Sequence, residues 1–400
     1  MDWAERFSER ALAGADPELA IILAGPPAGT LGMTGGFPNP LTFPTDELAA
    51  IASRLVRDEP GLALQYTPSE GIPSVREYLI ERVEHLQGAR PAWEELMITS
   101  GGMECIDLLC KTMLDPGDEV AVEGPTYLGA IMAFRAYRAS LTGVPMDAEG
   151  LEVDWFAERL EGGWRPKFLY VIPDFQNPSG RSLSVQRRRA LVDVCRRHGV
   201  LICEDVAYSE LSFDGSLQPS LWSLGPDVVL QAGTFSKVFC PGTRLGWACG
   251  PSSIVAKLVT AKNGGDQCAG ALGQRMVEEY GRAGLFGERL PAARALYASH
   301  WEALSAALEE HMPDGCSWSQ PTGGMFTWLR MPSGLDSTEL RPAATEAGVA
   351  YVPGRPFYVD DSGANEMRLS FSALNGEQLA EAARRLAGVI EAHLPAAAAG

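Results

Sequence analysis

Short apolar runs, each followed by a polar or glycine-rich corner, recur along the chain up to about residue 250. Their shortness and the turn signals that bound them predict buried strands. The runs are Leu96–Thr99, Glu119–Val122, Phe168–Ile172, Val200–Cys203, Val228–Gln231 and Leu245–Cys249.

Helical patterns lie between several of these runs. Ser184 is a suitable N-cap for a helix that continues to about His198 and stops at Gly199. Alternation of strands and helices predicts an α/β domain whose mostly parallel sheet is flanked by helices, with ligands bound at the carboxyl ends of its strands. Another helix is predicted after Gly102, where apolar residues fall on one helical face: Met103, Ile106, Leu109, Cys110 and Met113.

The pattern changes beyond about residue 285. Long helical stretches over about 290–311 and 376–393 alternate with short apolar segments, which predicts a smaller α+β domain. We therefore expect a large domain over 46–285 and a small domain that combines 1–45 with 286–400. The short strands are expected near Met325–Leu329, Val349–Val352 and Met367–Phe371.

The composition and charge of the chain indicate which partners, compartment and metals to expect. The 400 residues are 46% hydrophobic and carry a net charge of -18, so we expect neither nucleic acid nor membrane as a partner. The N-terminus resembles no signal peptide, and the eight cysteines form no C-x-x-C pair. We therefore expect a reduced, cytoplasmic protein. The five histidines lack metal-ligand spacing, so no metal is expected.

Candidate chemistry is concentrated around Lys237, which follows the predicted strand near Val228–Gln231. Thr234 and Ser236 flank it with hydroxyl groups, and Arg244 follows seven residues later. A lysine amine forms an imine with an aldehyde, while hydroxyls and an arginine fork bind phosphate. The combination favours a phosphorylated aldehyde cofactor over a solvated lysine beside a loop arginine.

Several other segments, taken in order, complete a resemblance to a known family. They are Leu64–Gly71, Thr99–Glu104, Glu123–Tyr127, Pro173–Gly180, Ile202–Tyr208, Thr234–Gly246, Val352–Phe357 and Asn365–Phe371. With these motifs, the chain from about residue 20 to 390 resembles the class I/II aminotransferases of pyridoxal-5′-phosphate (PLP) fold type I. It looks closest to the branch that contains 2-aminoadipate and kynurenine aminotransferases.

This resemblance implies roles around the cofactor ring. Lys237 would hold PLP as an imine and act as the catalytic base. Asp205 would pair with the pyridine nitrogen, and a carboxylate there keeps the ring an electron sink. Tyr208 and Asn177 would hydrogen-bond the phenolate oxygen, and Tyr127 would stack on the ring.

The resemblance also assigns the phosphate and the substrate. Backbone amides of Gly102 and Met103 would bind the phosphate, although the related branch usually has serine and glutamine there. Tyr66 would reach the phosphate of a neighbouring subunit, which implies a homodimer with shared sites. Arg368 would clamp the substrate α-carboxylate, with Asn177 and the Gly36 amide beside it.

The expected reaction is transfer of an amino group from an amino acid to a 2-oxo acid. The same residues can also support elimination, replacement, decarboxylation or oxidation, since the first steps are shared. A ligand-sensing regulator with an aminotransferase-like domain is a remote alternative, because the acidic charge disfavours DNA binding. Side-chain specificity stays open: Arg355 is the one candidate for binding a distal carboxylate.

Overall fold

The computed structural model describes residues 3–13 and 25–394. The β-strands are β1 (Leu31–Gly32), β2 (Leu96–Thr99), β3 (Glu119–Gly124), β4 (Ser140–Asp147), β5 (Gly150–Leu151), β6 (Phe168–Val171), β7 (Leu201–Asp205), β8 (Val229–Thr234), β9 (Gly246–Cys249), β10 (Ser317–Trp318), β11 (Phe326–Arg330), β12 (Val349–Ala350), β13 (Val352–Pro353) and β14 (Glu366–Ser370).

The α-helices connect these strands. They are α1 (Glu9–Ala13), α2 (Thr45–Asp58), α3 (Pro60–Ala63), α4 (Pro73–Gln87), α5 (Gly102–Met113), α6 (Leu128–Ala136), α7 (Val153–Glu161), α8 (Val185–His198), α9 (Leu221–Leu224), α10 (Ser252–Asn263), α11 (Ala271–Arg282), α12 (Leu285–His311), α13 (Arg341–Glu346) and α14 (Gly376–Ala392). As predicted, α8 is capped by the Ser184 side chain and ends at Gly199, which has a left-handed backbone.

An eight-stranded sheet forms the centre of the molecule. Its strand order is β2–β9–β8–β7–β6–β3–β4–β5, and only β9 and β5 run against the others. Strands β2, β6 and β7 are buried along their whole length, as expected for a sheet covered on both faces. The carboxyl ends of the parallel strands therefore meet along one edge.

A smaller antiparallel sheet with the order β10–β11–β14–β13 lies later in the chain. In addition, β1 pairs in parallel with β12, which attaches the segment near residue 31 to the C-terminal part. Helices α12 and α14 pack against each other beside this sheet. The large sheet falls within 46–285 and the small sheet within 286–400; the division into these two domains stays a prediction.

The predicted α/β class with an added α+β part is confirmed. Every predicted strand exists, with boundaries that agree within three residues, except that the segment Val349–Val352 forms two short strands, β12 and β13. Strand β4 was not predicted, because its residues are mostly half-buried and show no continuous apolar run. Within the described ranges, no helix has the length and apolar character needed to cross a bilayer.

Candidate active site

One cavity of about 300 Å³ lies at the carboxyl ends of the parallel strands. It is lined by every residue predicted for the cofactor and the substrate except Tyr66 and Arg355. These residues are Gly36, Gly102, Met103, Tyr127, Asn177, Asp205, Tyr208, Thr234, Ser236, Lys237, Arg244 and Arg368. They converge because β2, β3, β6, β7 and β8 all end at this edge of the sheet.

Lys237 projects into the cavity three residues after the end of β8. Its Nζ donates a hydrogen bond to the Gly36 carbonyl at 2.8 Å. Burial, helped by the positive charges of Arg368 and Arg244, lowers the pKa of Lys237 to about 8, although the Asp205 carboxylate acts in the opposite direction. A large fraction of this amine is therefore neutral near pH 8, as a nucleophile or base requires.

Asp205 is the last residue of β7 and is buried. Its Oδ2 accepts a hydrogen bond from the Tyr170 hydroxyl at 2.8 Å, and its Oδ1 accepts one from the Ala207 amide at 3.1 Å. Burial raises the pKa of Asp205, while these two donors and Lys237 favour the charged form. A carboxylate held in this way is suited to binding a protonated ring nitrogen.

Another part of the cavity wall has the features of an anion site. Helix α5 begins at Gly102, so the amides of Gly102 and Met103 have no carbonyl partner from a preceding turn. Arg244 lies beside this helix end, and its Nη2 donates to the Ser100 carbonyl at 3.3 Å. Thr234 and Ser236 bring two hydroxyl groups that are 3.0 Å apart.

Arg368 is a buried cation in the cavity wall. Its Nη1 donates to Asn177 Oδ1 at 2.8 Å, and its Nη2 donates to the Thr34 carbonyl at 2.6 Å. Among the described residues, its buried Nε has no hydrogen-bond partner. Burial lowers the pKa of Arg368 to about 10, so the group stays charged at neutral pH. It therefore keeps N–H donors available for a carboxylate.

Asn177 links Arg368 to Tyr208 through its side-chain amide. While its Oδ1 accepts from Arg368, its Nδ2 donates to the Tyr208 hydroxyl at 3.4 Å. Burial raises the pKa of Tyr208, which keeps this hydroxyl protonated and able to donate. Tyr127 also lines the cavity.

The remaining wall is apolar. Its side chains come from the loop before α2, from α5, from α6 and from the end of β6, and they are Phe37, Ile106, Leu128, Met132 and Ile172. Close packing between Tyr127 and the first turn of α6 depends on Gly129, since a Cβ there would lie 2.5 Å from the Tyr127 ring.

Two sequence candidates lie away from this cavity. Tyr66 is 82% exposed and is not part of the cavity wall. Arg355 also lies outside the wall, and its guanidinium pairs with Asp336 at 2.9 Å.

Some contributors could not be found by sequence reasoning. Tyr170 reaches Asp205 from the neighbouring strand, and Thr34 contributes only a backbone carbonyl. The rings of Phe326 and Phe357 lie 4.5 and 5.1 Å from the Arg368 guanidinium carbon. Phe357 lies in the Val352–Phe357 motif, but the motif gave it no role, and no motif marks Tyr170 or Phe326. Each acts through a contact made by the tertiary fold.

The arrangement fits a phosphorylated pyridine aldehyde. A lysine with a lowered pKa, a buried carboxylate and an aromatic ring surround one cavity, and a helix start with an adjacent arginine forms one end. The unpartnered Nε of Arg368 marks a further place for an anionic group. These donors and acceptors match the groups of PLP and an amino acid carboxylate.

Comparison with known proteins gives consistent matches. The family model described as aminotransferase class I and II matches residues 39–386. The chain is 38% identical to a 2-aminoadipate transaminase of Thermus thermophilus, over 96% of each chain. It is 33% identical to aromatic-amino-acid aminotransferase 1 of Thermococcus litoralis, over 98% of this chain and 95% of that one.

A solved structure extends the similarity to the fold. The α-aminoadipate aminotransferase of Thermus thermophilus, complexed with N-(5′-phosphopyridoxyl)-L-leucine, superposes with a TM-score of 0.91 at 37% identity. The match covers 98% of this chain and 99% of that chain.

Proposed function

We propose that this chain, which belongs to the class I and II aminotransferases, transfers the amino group of a donor whose side chain is uncharged and largely apolar. The enzyme is a PLP-dependent transaminase of fold type I, in the branch of the 2-aminoadipate and kynurenine enzymes. The identity of the amino donor and the roles of individual residues are the proposed parts.

When bound, PLP supplies an aldehyde that condenses with amines and a ring that withdraws electrons from the substrate Cα. In our proposal the α-carboxylate is fixed by Arg368, whose orientation is held by Asn177 and Thr34. Lys237 Nζ would take the proton from Cα in its neutral form, which the lowered pKa makes more abundant than for an ordinary lysine. Asp205 holds a proton at the ring nitrogen.

The charge of the cavity wall supports the proposed donor class. Lys237, Arg244 and Arg368 are the cationic side chains in the described wall, and each has a proposed task at the cofactor or the α-carboxylate. The wall that is left for a substrate side chain includes Leu128 and Met132. A distal carboxylate would lose its hydration there without gaining a cation, which costs free energy.

The sequence outside the described ranges also lacks cationic residues. Segments 1–2, 14–24 and 395–400 contain no lysine, arginine or histidine. The leucine conjugate in the related Thermus structure is an example of an apolar side chain in a similar site. The observation that carries the proposal is therefore the lack, in the described wall of the cavity, of any cation besides Lys237, Arg244 and Arg368.

The test is a single-turnover experiment with the PLP-loaded enzyme and no oxo-acid acceptor. Leucine, methionine, phenylalanine, glutamate and 2-aminoadipate would be compared by the rate at which pyridoxamine phosphate and the matching 2-oxo acid accumulate. We expect the three uncharged donors to react faster. Faster reaction of the two acidic donors would overturn the donor class, and release of ammonia without pyridoxamine phosphate would favour elimination.

Two variants sharpen this test. Met132→Arg adds a cation to the apolar wall and should shift the preference toward glutamate and 2-aminoadipate. Arg355→Ala removes a cation that is bound to Asp336 outside the wall, so the donor order should stay unchanged. If Arg355→Ala selectively slowed the acidic donors, Arg355 would be the missing distal-carboxylate group.

We also propose a cytoplasmic homodimer with shared sites. Tyr66 is highly exposed, and Leu62 and Leu64, which precede it in the chain, are more than half exposed. A second subunit would bury this apolar segment and give the Tyr66 hydroxyl a partner. A reducing compartment is supported by the cysteines, all eight of which are free thiols.

A further inference from the structure

Lys262, on α10, is a fully buried lysine outside the cavity wall. Its side chain is 0% exposed, and its Nζ lies 2.7 Å from Glu104 Oε1 and 2.7 Å from Asp266 Oδ1. Both second carboxylate oxygens are also within hydrogen-bond distance, at 2.7 and 2.8 Å. One ammonium group is thus shared between two carboxylates.

These carboxylates hold the loop that enters α5. Glu104 Oε2 accepts from the Ser100 amide at 2.6 Å, and Asp266 Oδ2 accepts from the Ser100 hydroxyl at 2.7 Å. Arg244 donates to the Ser100 carbonyl from the cavity side. All three polar groups of Ser100 are therefore fixed, directly before the glycines that open the proposed phosphate site.

The negative charges of Glu104 and Asp266 oppose the binding of an anion at the proposed phosphate site. Glu104 lies in the first turn of α5, where the helix end attracts anions, and the cofactor phosphate would occupy the same end. Two uncompensated carboxylates there would repel a phosphate through a poorly screened medium. Lys262 offsets one of their charges.

We propose that Lys262 is a positioning residue for cofactor phosphate: it lets Glu104 and Asp266 fix Ser100 without repelling the phosphate. The inference rests on the proposed phosphate site at Gly102 and Met103. The simpler alternative is a buried ion pair that only joins α5 to α10, and its removal would weaken every ligand equally.

The experiment compares the dissociation constants of PLP and of pyridoxal, which lacks the phosphate, by equilibrium dialysis. In Lys262→Met we expect the constant for PLP to rise by about tenfold or more, since one compensating charge near an anion is lost. Pyridoxal binding should change little. Equal weakening of both ligands, or no change in either, would overturn the proposal.

Lys111→Met is the matched control. Lys111 lies near the far end of α5 and donates to the Ala261 carbonyl at 3.0 Å, so it joins the same two helices away from the phosphate site. Its loss should leave the ratio of the two dissociation constants unchanged. A ratio altered as strongly as in Lys262→Met would mean that helix contact, rather than charge compensation, is what matters.

A double variant keeps the test valid if Lys262→Met does not fold. Lys262→Met with Glu104→Gln removes one charge of each sign and so restores the net charge of the cluster. We expect its preference for PLP over pyridoxal to approach that of the native enzyme. A preference about tenfold weaker, the change expected for Lys262→Met, would overturn the proposal. If the native enzyme itself showed no preference for PLP, the phosphate site would be wrong.

Discussion

At the scale of single residues, the lowered pKa of Lys237 makes a prediction about cofactor loading. The amine attacks an aldehyde only in its neutral form, and the neutral fraction rises as pH increases through the pKa. We expect the rate of PLP capture by the cofactor-free enzyme to rise through about pH 8, rather than near 10.5, the ordinary lysine value. Stopped-flow absorbance would give the rates, and borohydride reduction with mass spectrometry would confirm Lys237 as the modified residue.

A variant checks the cause of this shift. Arg368 is one of the two cations that lower the pKa of Lys237, so Arg368→Met should move the midpoint of the rate profile to higher pH. A native midpoint near 10.5, or a midpoint that falls in Arg368→Met, would contradict the assignment.

Two adjacent glycines, Gly101 and Gly102, lie at the proposed phosphate site, and we expect substitution by serine to have opposite effects at the two positions. Gly102 has helical backbone, and an added Cβ would make an ordinary contact of 3.5 Å with Thr234 Cβ. Gly102→Ser should therefore bind PLP more tightly, by about 1 kcal/mol, the contribution of one added hydrogen bond. Dissociation constants from equilibrium dialysis would show this gain.

Gly101 is the contrasting position. Its backbone φ is +97°, and an added Cβ would lie 2.9 Å from Arg244 Nη2. Gly101→Ser should therefore weaken PLP binding, because the loop is strained and Arg244 is displaced. Weaker binding in Gly102→Ser would show that the hydroxyl does not reach the phosphate.

At the scale of elements, sequence reasoning succeeded where the signal was local. Continuous apolar runs marked β2, β6 and β7, since strands buried on both faces need few polar residues. Strand β4 lacks such a run, because most of its residues are only half-buried. The predicted strand ends and the motifs also indicated that the residues of the cavity lie near one another.

The rest of the site depends on contacts across elements. Tyr170 meets Asp205 because β6 and β7 pair in a particular register, with Tyr170 opposite Cys203. The link from Lys262 to Ser100 joins α10 to the entry of α5. Neither pairing has a sequence spacing of its own, so neither could be predicted without the fold.

Helix α6 gives a prediction in which local propensity and packing disagree. Alanine usually stabilises a helix by about 1 kcal/mol relative to glycine. At Gly129, however, a Cβ would lie 2.5 Å from the Tyr127 ring. We expect Gly129→Ala to displace Tyr127 and weaken PLP binding several-fold, measured by equilibrium dialysis.

Gly388→Ala on α14 is the matched substitution. An added Cβ there meets open space, so the melting temperature should rise while PLP binding stays unchanged. Native-like PLP binding in Gly129→Ala would show that the Tyr127 ring is not held by this contact.

At the scale of the whole molecule, charge is distributed unevenly. The chain carries a net charge of -18, yet the described wall of the cavity contains three cations and one carboxylate. A local positive field inside an acidic protein suits an anionic cofactor and a carboxylate substrate while the outer surface repels other polyanions.

The proposed dimer makes the last prediction, that each active site combines residues of two subunits. Lys237→Ala and Tyr66→Ala should each have low activity. If Tyr66 acts in the neighbouring subunit's site, a dimer with one chain of each kind contains one native site. Random reassembly of the two variants should then restore about a quarter of native activity.

The control mixes Lys237→Ala with Asp205→Ala, whose hybrids contain no native site because both residues line one chain's cavity. Recovery in this control, or none with Tyr66→Ala, would mean that Tyr66 does not act across the interface.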